Sequence, residues 1–114
     1  MVGRSTLMLP FVLGVLLGLS PIRLQATEDL RSLHGVVIGR DGKSVDGAVV
    51  KLKNIVTLQI RSFITKGDGS YRFYGLNPDI EYEVWATYQG AASDTKTLSK
   101  FNSEKEPVID LVLK

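Results

Sequence analysis

The chain has 114 residues, with 14 Lys and Arg against 12 Asp and Glu, one histidine and no cysteine. The absence of thiols excludes disulfides, cysteine nucleophiles and cysteine-based metal sites, and a lone imidazole excludes any site built from several. A net charge of +2 without a Lys/Arg cluster gives no electrostatic footprint for nucleic acid or an anionic membrane surface.

Residues 1–26 read as a cleaved signal peptide. Met1 to Arg4 carries positive charge, Leu7 to Leu19 is a nearly unbroken apolar run, and Leu24-Gln25-Ala26 ends on a small residue at the expected cut. The apolar run is 13 residues long, short of the roughly 20 needed to span a bilayer as a helix. Pro10 and the polar tail after Leu19 also suit a cleaved signal better than an anchor. The expectation is export to a periplasm or the exterior, with no stable membrane insertion after cleavage. Arg4 and Arg23 leave with the signal, so the mature chain holds 12 basic against 12 acidic residues and is formally neutral. Thr27 to Lys114 is 88 residues, one domain that buries roughly 60% of the unfolded chain's surface.

Thr27 to Ser32 is a short polar leader, and the domain is expected over 33–114. Apolar periodicity near 2 then recurs without any convincing 3.6 period, which gives seven expected strands. The first, Leu33 to Ile38, ends at Gly39-Arg40-Asp41-Gly42, a tight-turn signal. The second, Ala48 to Lys53, turns Ala48, Val50 and Leu52 inward. The third, Thr57 to Thr65, points Leu58, Ile60 and Ile64 one way and Gln59, Arg61 and Phe63 the other. Gly67-Asp68-Gly69 leads into the fourth, Ser70 to Tyr74, with Tyr71 and Phe73 inward and Leu76 as a plug. The fifth, Ile80 to Tyr88, turns Tyr82, Val84 and Ala86 in and Glu81, Glu83, Trp85 and Thr87 out. The sixth, Ala92 to Leu98, is polar, as an edge strand often is. Pro107 opens the last, with Ile109, Leu111 and Leu113 inward. Short alternating strands separated by turn signals predict an all-β, antiparallel sandwich.

Several stretches carry a family likeness: His34-Gly35-Val36-Val37, Asp41-Gly42-Lys43, Gly47-Ala48-Val49-Val50-Lys51-Leu52, Thr65, Gly69-Ser70-Tyr71-Arg72-Phe73, Gly75-Leu76 and Tyr82-Glu83-Val84-Trp85-Ala86. Together they resemble the carboxypeptidase regulatory-like domain, a seven-stranded Greek-key sandwich of the prealbumin (transthyretin) type. The resemblance covers about Leu33 to Lys114 and implies a domain without catalytic residues of its own. Related sandwiches bind starch or other sugars, or serve as spacers, adhesins or folding partners. Two relatives that perform chemistry do not carry over. Urate-pathway hydrolases of this fold need several histidines, and sandwiches with internal isopeptide bonds need a lysine in the first strand and an asparagine in the last. Here the first strand carries His34 and the last has no asparagine.

No catalytic, metal or cofactor residue is expected. His34 lacks ligand or carboxylate partners in its neighbourhood and reads as a strand-surface residue. Asp41 and Asp68 are single carboxylates in Gly-containing turns, where a calcium loop needs several at alternating positions. By strand parity Phe63, Tyr74 and Trp85 fall on the non-core side, so these three are the candidate ligand or partner surface. Exposed flat rings suit sugar C–H groups and protein partners alike. The reading is an exported, non-catalytic accessory or binding module. Its partner is a protein or domain; a glycan held by the outward aromatics, or a chain joined by β-strand addition, are the alternatives.

Overall fold

A computed structural model describes residues 30–114, and the expected signal and the first half of the leader, 27–29, lie outside the described residues. Among the described residues eight strands form: β1 Arg31–Ile38, β2 Val49–Asn54, β3 Ile60–Ile64, β4 Ser70–Leu76, β5 Tyr82–Tyr88, β6 Ala91–Ala92, β7 Lys96–Leu98 and β8 Leu111–Val112. They make two sheets, ordered β4-β1-β8 and β3-β2-β5-β6, with β7 also paired to β5. The expected β-sandwich is the fold. It has one more strand than the sequence predicts, because the sixth expected strand splits. Ser93 breaks it: its amide donates to the Ala86 carbonyl at 2.9 Å, but the Ala86 amide is taken by the Ser93 hydroxyl at 2.9 Å, which donates to the Asp94 carbonyl, so a side chain replaces one rung of the ladder.

Alternation sets the core. In β1 the burial alternates along Arg31, Leu33, Gly35 and Val37, and in β5 along Tyr82, Val84 and Ala86. Facing sheets close Leu33, Val37, Tyr82, Val84 and Ala86 with Val50, Leu52, Tyr71, Phe73, Leu98, Leu111 and Leu113 into one cluster. Each large side chain fully withdrawn from water contributes about 1.5–3 kcal/mol. Pairing is antiparallel except between β1 and β8, which run parallel with Val37 opposite Leu111. The reason is topological. β7 antiparallels β5 and finishes beside Tyr82, at the end of the sandwich where β1 starts. The chain crosses there through residues 99–106 and must return in the direction of β1.

β1 begins two residues earlier than the sequence predicts. Arg31, expected in the polar leader, is 2% exposed. Its Nη1 donates to the carbonyls of Ser99 (2.9 Å) and Asn102 (3.1 Å), and Nη2 to that of Ile80 (3.0 Å). A buried charge needs such partners; these are carbonyls of the two loops closing that end. Nε is buried without one among the described residues.

The expected facing of β3 is overturned. Phe63 lies opposite Val50 and Ile64 opposite Val49 in the β2–β3 ladder. Antiparallel partners point to the same face, and Val50 is fully buried. Phe63 is therefore on the core side, its ring edge-on to Phe73 at 6.2 Å and 70°. Ile60 and Ile64 face out, 50% and 64% exposed. The face richer in aliphatic residues is thus the solvent face, because β3 is an edge strand and one aromatic suffices to close the side of the sandwich.

Candidate functional site

The outer face of the β4-β1-β8 sheet holds a shallow depression of about 490 Å³. Its position follows from strand parity. His34 and Val36 alternate outward between the buried residues of β1, and Arg72 and Tyr74 do so in β4. Cross-strand register sets His34 opposite Arg72. Val108 and Asp110, in the segment entering β8, supply the far wall; Phe63, Lys66 and Ser70 line the rim near the free edge of β4.

The polar groups here are specifically engaged. Asp110 accepts the Val36 amide at Oδ1, 3.1 Å. Arg72 donates to the Tyr74 hydroxyl at 3.3 Å, with its guanidinium carbon 5.6 Å from the Tyr74 ring centre. The Lys66 ammonium lies 5.9 Å from the centre of the Phe63 ring. Phe63 and Tyr74 therefore each carry a cation near the ring, an arrangement favoured by the ring's negative face. His34 Nδ1 is buried with no hydrogen-bond partner among the described residues. Beneath the sheet, Tyr71 is buried; loss of solvation pushes its phenol up from the ordinary 10.0, and the Asp110 charge pushes it further the same way.

The three sequence-predicted surface residues separate. Tyr74 is 61% exposed on this outer face, and Phe63 reaches the same depression from the core side of β3. Trp85 sits on the outer face of the other sheet, opposite Lys51 and only partly exposed, so the three do not form one platform. Arg72, Lys66, Val108 and Asp110 were not singled out from the sequence. Arg72 was legible, since it shares parity with Tyr74; Val108 and Asp110 depend on the parallel pairing of β8.

The turn carboxylates take structural roles. Asp41 Oδ1 accepts the Lys43 amide and Asp68 Oδ1 the Ser70 amide, both at 3.0 Å. The bonds from Ser70 hold the Asp68 carboxyl below the ordinary carboxylate value. Among the described residues no three His, Asp or Glu side chains come together to hold a metal ion, and no helix is long and apolar enough to cross a membrane.

The sequence from 32 to 114 matches the family model of the carboxypeptidase regulatory-like domain. The chain belongs to that family. A search of curated proteins returns no match. Among solved structures, catechol 1,2-dioxygenase from an Acinetobacter species aligns at 14% identity and a TM-score of 0.54, over 78% of this chain and 54% of its own. This chain thus spans about half the length of that enzyme. The TIE protein of Bacillus anthracis gives 19% identity and a TM-score of 0.56 over 75% of this chain and 16% of its own. The C-terminal domain of the shaft pilin SpaA from Lactobacillus rhamnosus GG gives 12% and 0.50, over 75% of this chain and 98% of its own. At these identities the likeness is one of fold alone.

Proposed function

We propose that the chain is an exported, non-catalytic accessory module that holds a partner protein at the depression beside Tyr74. One observation carries the reading: apolar walls from Val36, Val108 and Phe63 meet a rim with Lys66 and Arg72, while the facing carboxylate, Asp110, is engaged by a backbone amide. Such a surface fits an acidic segment, its carboxylates on Arg72 and Lys66 and its aliphatic parts against the walls. Membership in a family of regulatory-like domains supports a role beside other polypeptides. Export rests on the composition of residues 1–26, and intact-mass analysis of the exported species should give a chain starting at Thr27.

The exposed Tyr74 ring favours a sugar as the second reading. It is the weaker one, because Arg72 already lies over that ring and Trp85 is on the opposite sheet. Strand addition at the sixth predicted strand has little ladder to offer, since β6 has two residues and β7 three.

The test is affinity capture from the exported fraction with the wild-type chain, Tyr74→Ala and the double variant Lys66→Glu/Arg72→Glu. All three side chains are on exposed residues, so melting temperatures should stay within a few degrees. The acidic-segment reading expects the double variant to lose the partner. A partner retained by that variant and lost with Tyr74→Ala, together with retention on a polysaccharide column, would favour the sugar.

A further inference from the structure

The two ends of the sandwich differ in kind. At one end lie the turns after β1, between β3 and β4 and after β5, and they are written in Gly, Asp, Lys, Ser and Gln. At the other end gather six of the ten exposed large apolar residues among the described residues: Leu30, Ile55, Val56, Leu58, Ile60 and Phe101. Val56 is 72% and Phe101 83% exposed.

The β2–β3 turn is ordered in an unusual sense. Asn54 Oδ1 accepts the amides of Val56 (2.8 Å) and Thr57 (3.0 Å), the Asn54 carbonyl accepts that of Leu58 (2.7 Å), and Thr57 Oγ1 accepts that of Gln59 (3.3 Å). The polar side chains are thus turned onto the backbone and the apolar ones are presented to solvent. Leu58 reaches that position at φ 66, a left-handed conformation uncommon outside glycine. Ile55 and Val56 share a groove of about 380 Å³ with Ile80 and Phe101, and the Lys100 ammonium lies 5.4 Å from the Phe101 ring centre.

The chain enters the fold at this same end. Arg31 bonds to the carbonyls of Ile80, Ser99 and Asn102, which fixes Leu30 beside the apolar loops. The apolar run Leu7–Leu19 ends eleven residues before Leu30, within about 40 Å of fully extended chain. A run inserted in a bilayer therefore keeps this end within that reach of it.

We propose that the loop tips carrying Val56, Leu58 and Phe101 seat on the surface of a phospholipid bilayer while the N-terminal apolar run is still attached. The tips enter the acyl boundary and Lys100 reaches back to the headgroups, as long cationic side chains do at such interfaces. Apolar burial drives the contact and anionic lipid does not, because Asp79 and Glu81 border the same groove as Lys100. The depression beside Tyr74 lies on a lateral sheet face and stays open, so this inference stands or falls independently of the partner reading.

The chain contains no cysteine, so a single introduced thiol reports one position. Full-length chains carrying Val56→Cys, Phe101→Cys or, at the polar end, Lys43→Cys are labelled with an environment-sensitive fluorophore. They are reconstituted with phosphatidylcholine vesicles containing a shallow nitroxide lipid, and circular dichroism checks folding. Labels at 56 and 101 should shift to the blue and be quenched several-fold more than the label at 43, at low and at high salt. Equal quenching at 43 and 56 would overturn the proposal. So would quenching that requires anionic lipid, or a blue shift at 56 and 101 that appears without vesicles and grows with protein concentration, which would indicate a second copy.

Discussion

The Tyr71 hydroxyl donates a hydrogen bond to the Ile109 carbonyl at 2.5 Å, joining the edge strand β4 to the C-terminal segment across the central strand β1. The donor is buried, and its phenol is held above the ordinary 10.0 by lost solvation and by the Asp110 charge. A group whose folded value is raised contributes stability that is complete below its unfolded value and falls as pH rises above it.

Stability should therefore be flat near neutrality and decline as pH climbs above 10. Tyr71→Phe should cost about 1 kcal/mol at pH 7, by removing one hydrogen bond, and should reduce the alkaline decline. Denaturant midpoints of both proteins between pH 7 and pH 11 check this.

Gly35 makes the crossing possible. A Cβ at this position would lie 1.9 Å from the Ile109 carbonyl oxygen and 3.0 Å from the Tyr71 ring. Both obstacles are part of the same clamp, and one is backbone. Gly35→Ala should lower stability by about 2–4 kcal/mol, as overpacking with forced backbone movement does. Thermal unfolding is the readout, and Gly42→Ala, where a Cβ meets nothing within 4 Å but φ is +82, should cost less.

Arg31 should matter as much as any apolar core residue. Arg31→Ala removes the guanidinium donor from the carbonyls of Ile80, Ser99 and Asn102, leaving Ser99 only the Asn102 amide. A loss of about 3 kcal/mol or more is expected, since hydrogen bonds to a charged group contribute roughly 1.5–3 kcal/mol each. Amide exchange should quicken in residues 99–106 more than in β2 and β5.

Most of the core was legible in the sequence. Ala48, Val50, Leu52, Tyr71, Phe73, Tyr82, Val84 and Ala86 alternate as a half-buried strand requires, and all are buried. Three features were not. Parity alone puts Phe63 on the outer face, since Leu58, Ile60 and Ile64 outnumber it, and only the pairing of Phe63 with Val50 reverses this. Arg31 looked like leader, since its carbonyl partners come from loops 49 to 71 residues away. The wall of the depression at Val108 and Asp110 follows from a parallel pairing that local periodicity does not encode.

The reversal of Phe63 has its own check. A half-buried ring packed on Phe73 should cost about 1–3 kcal/mol when truncated, less than the 3–5 kcal/mol of a fully buried phenylalanine. Phe63→Ala with no change in melting temperature would restore the outward facing.

The depression itself is tested most directly by site-specific photocrosslinking in the organism the chain comes from. A photoreactive side chain at 74 or 108 lies at the depression; one at 85 lies on the opposite sheet. The account predicts a discrete protein adduct from 74 and 108, lost when Lys66 and Arg72 are both changed to Glu, and none from 85. Adducts from 85 alone, or adducts from 74 that survive the charge reversal, would contradict it.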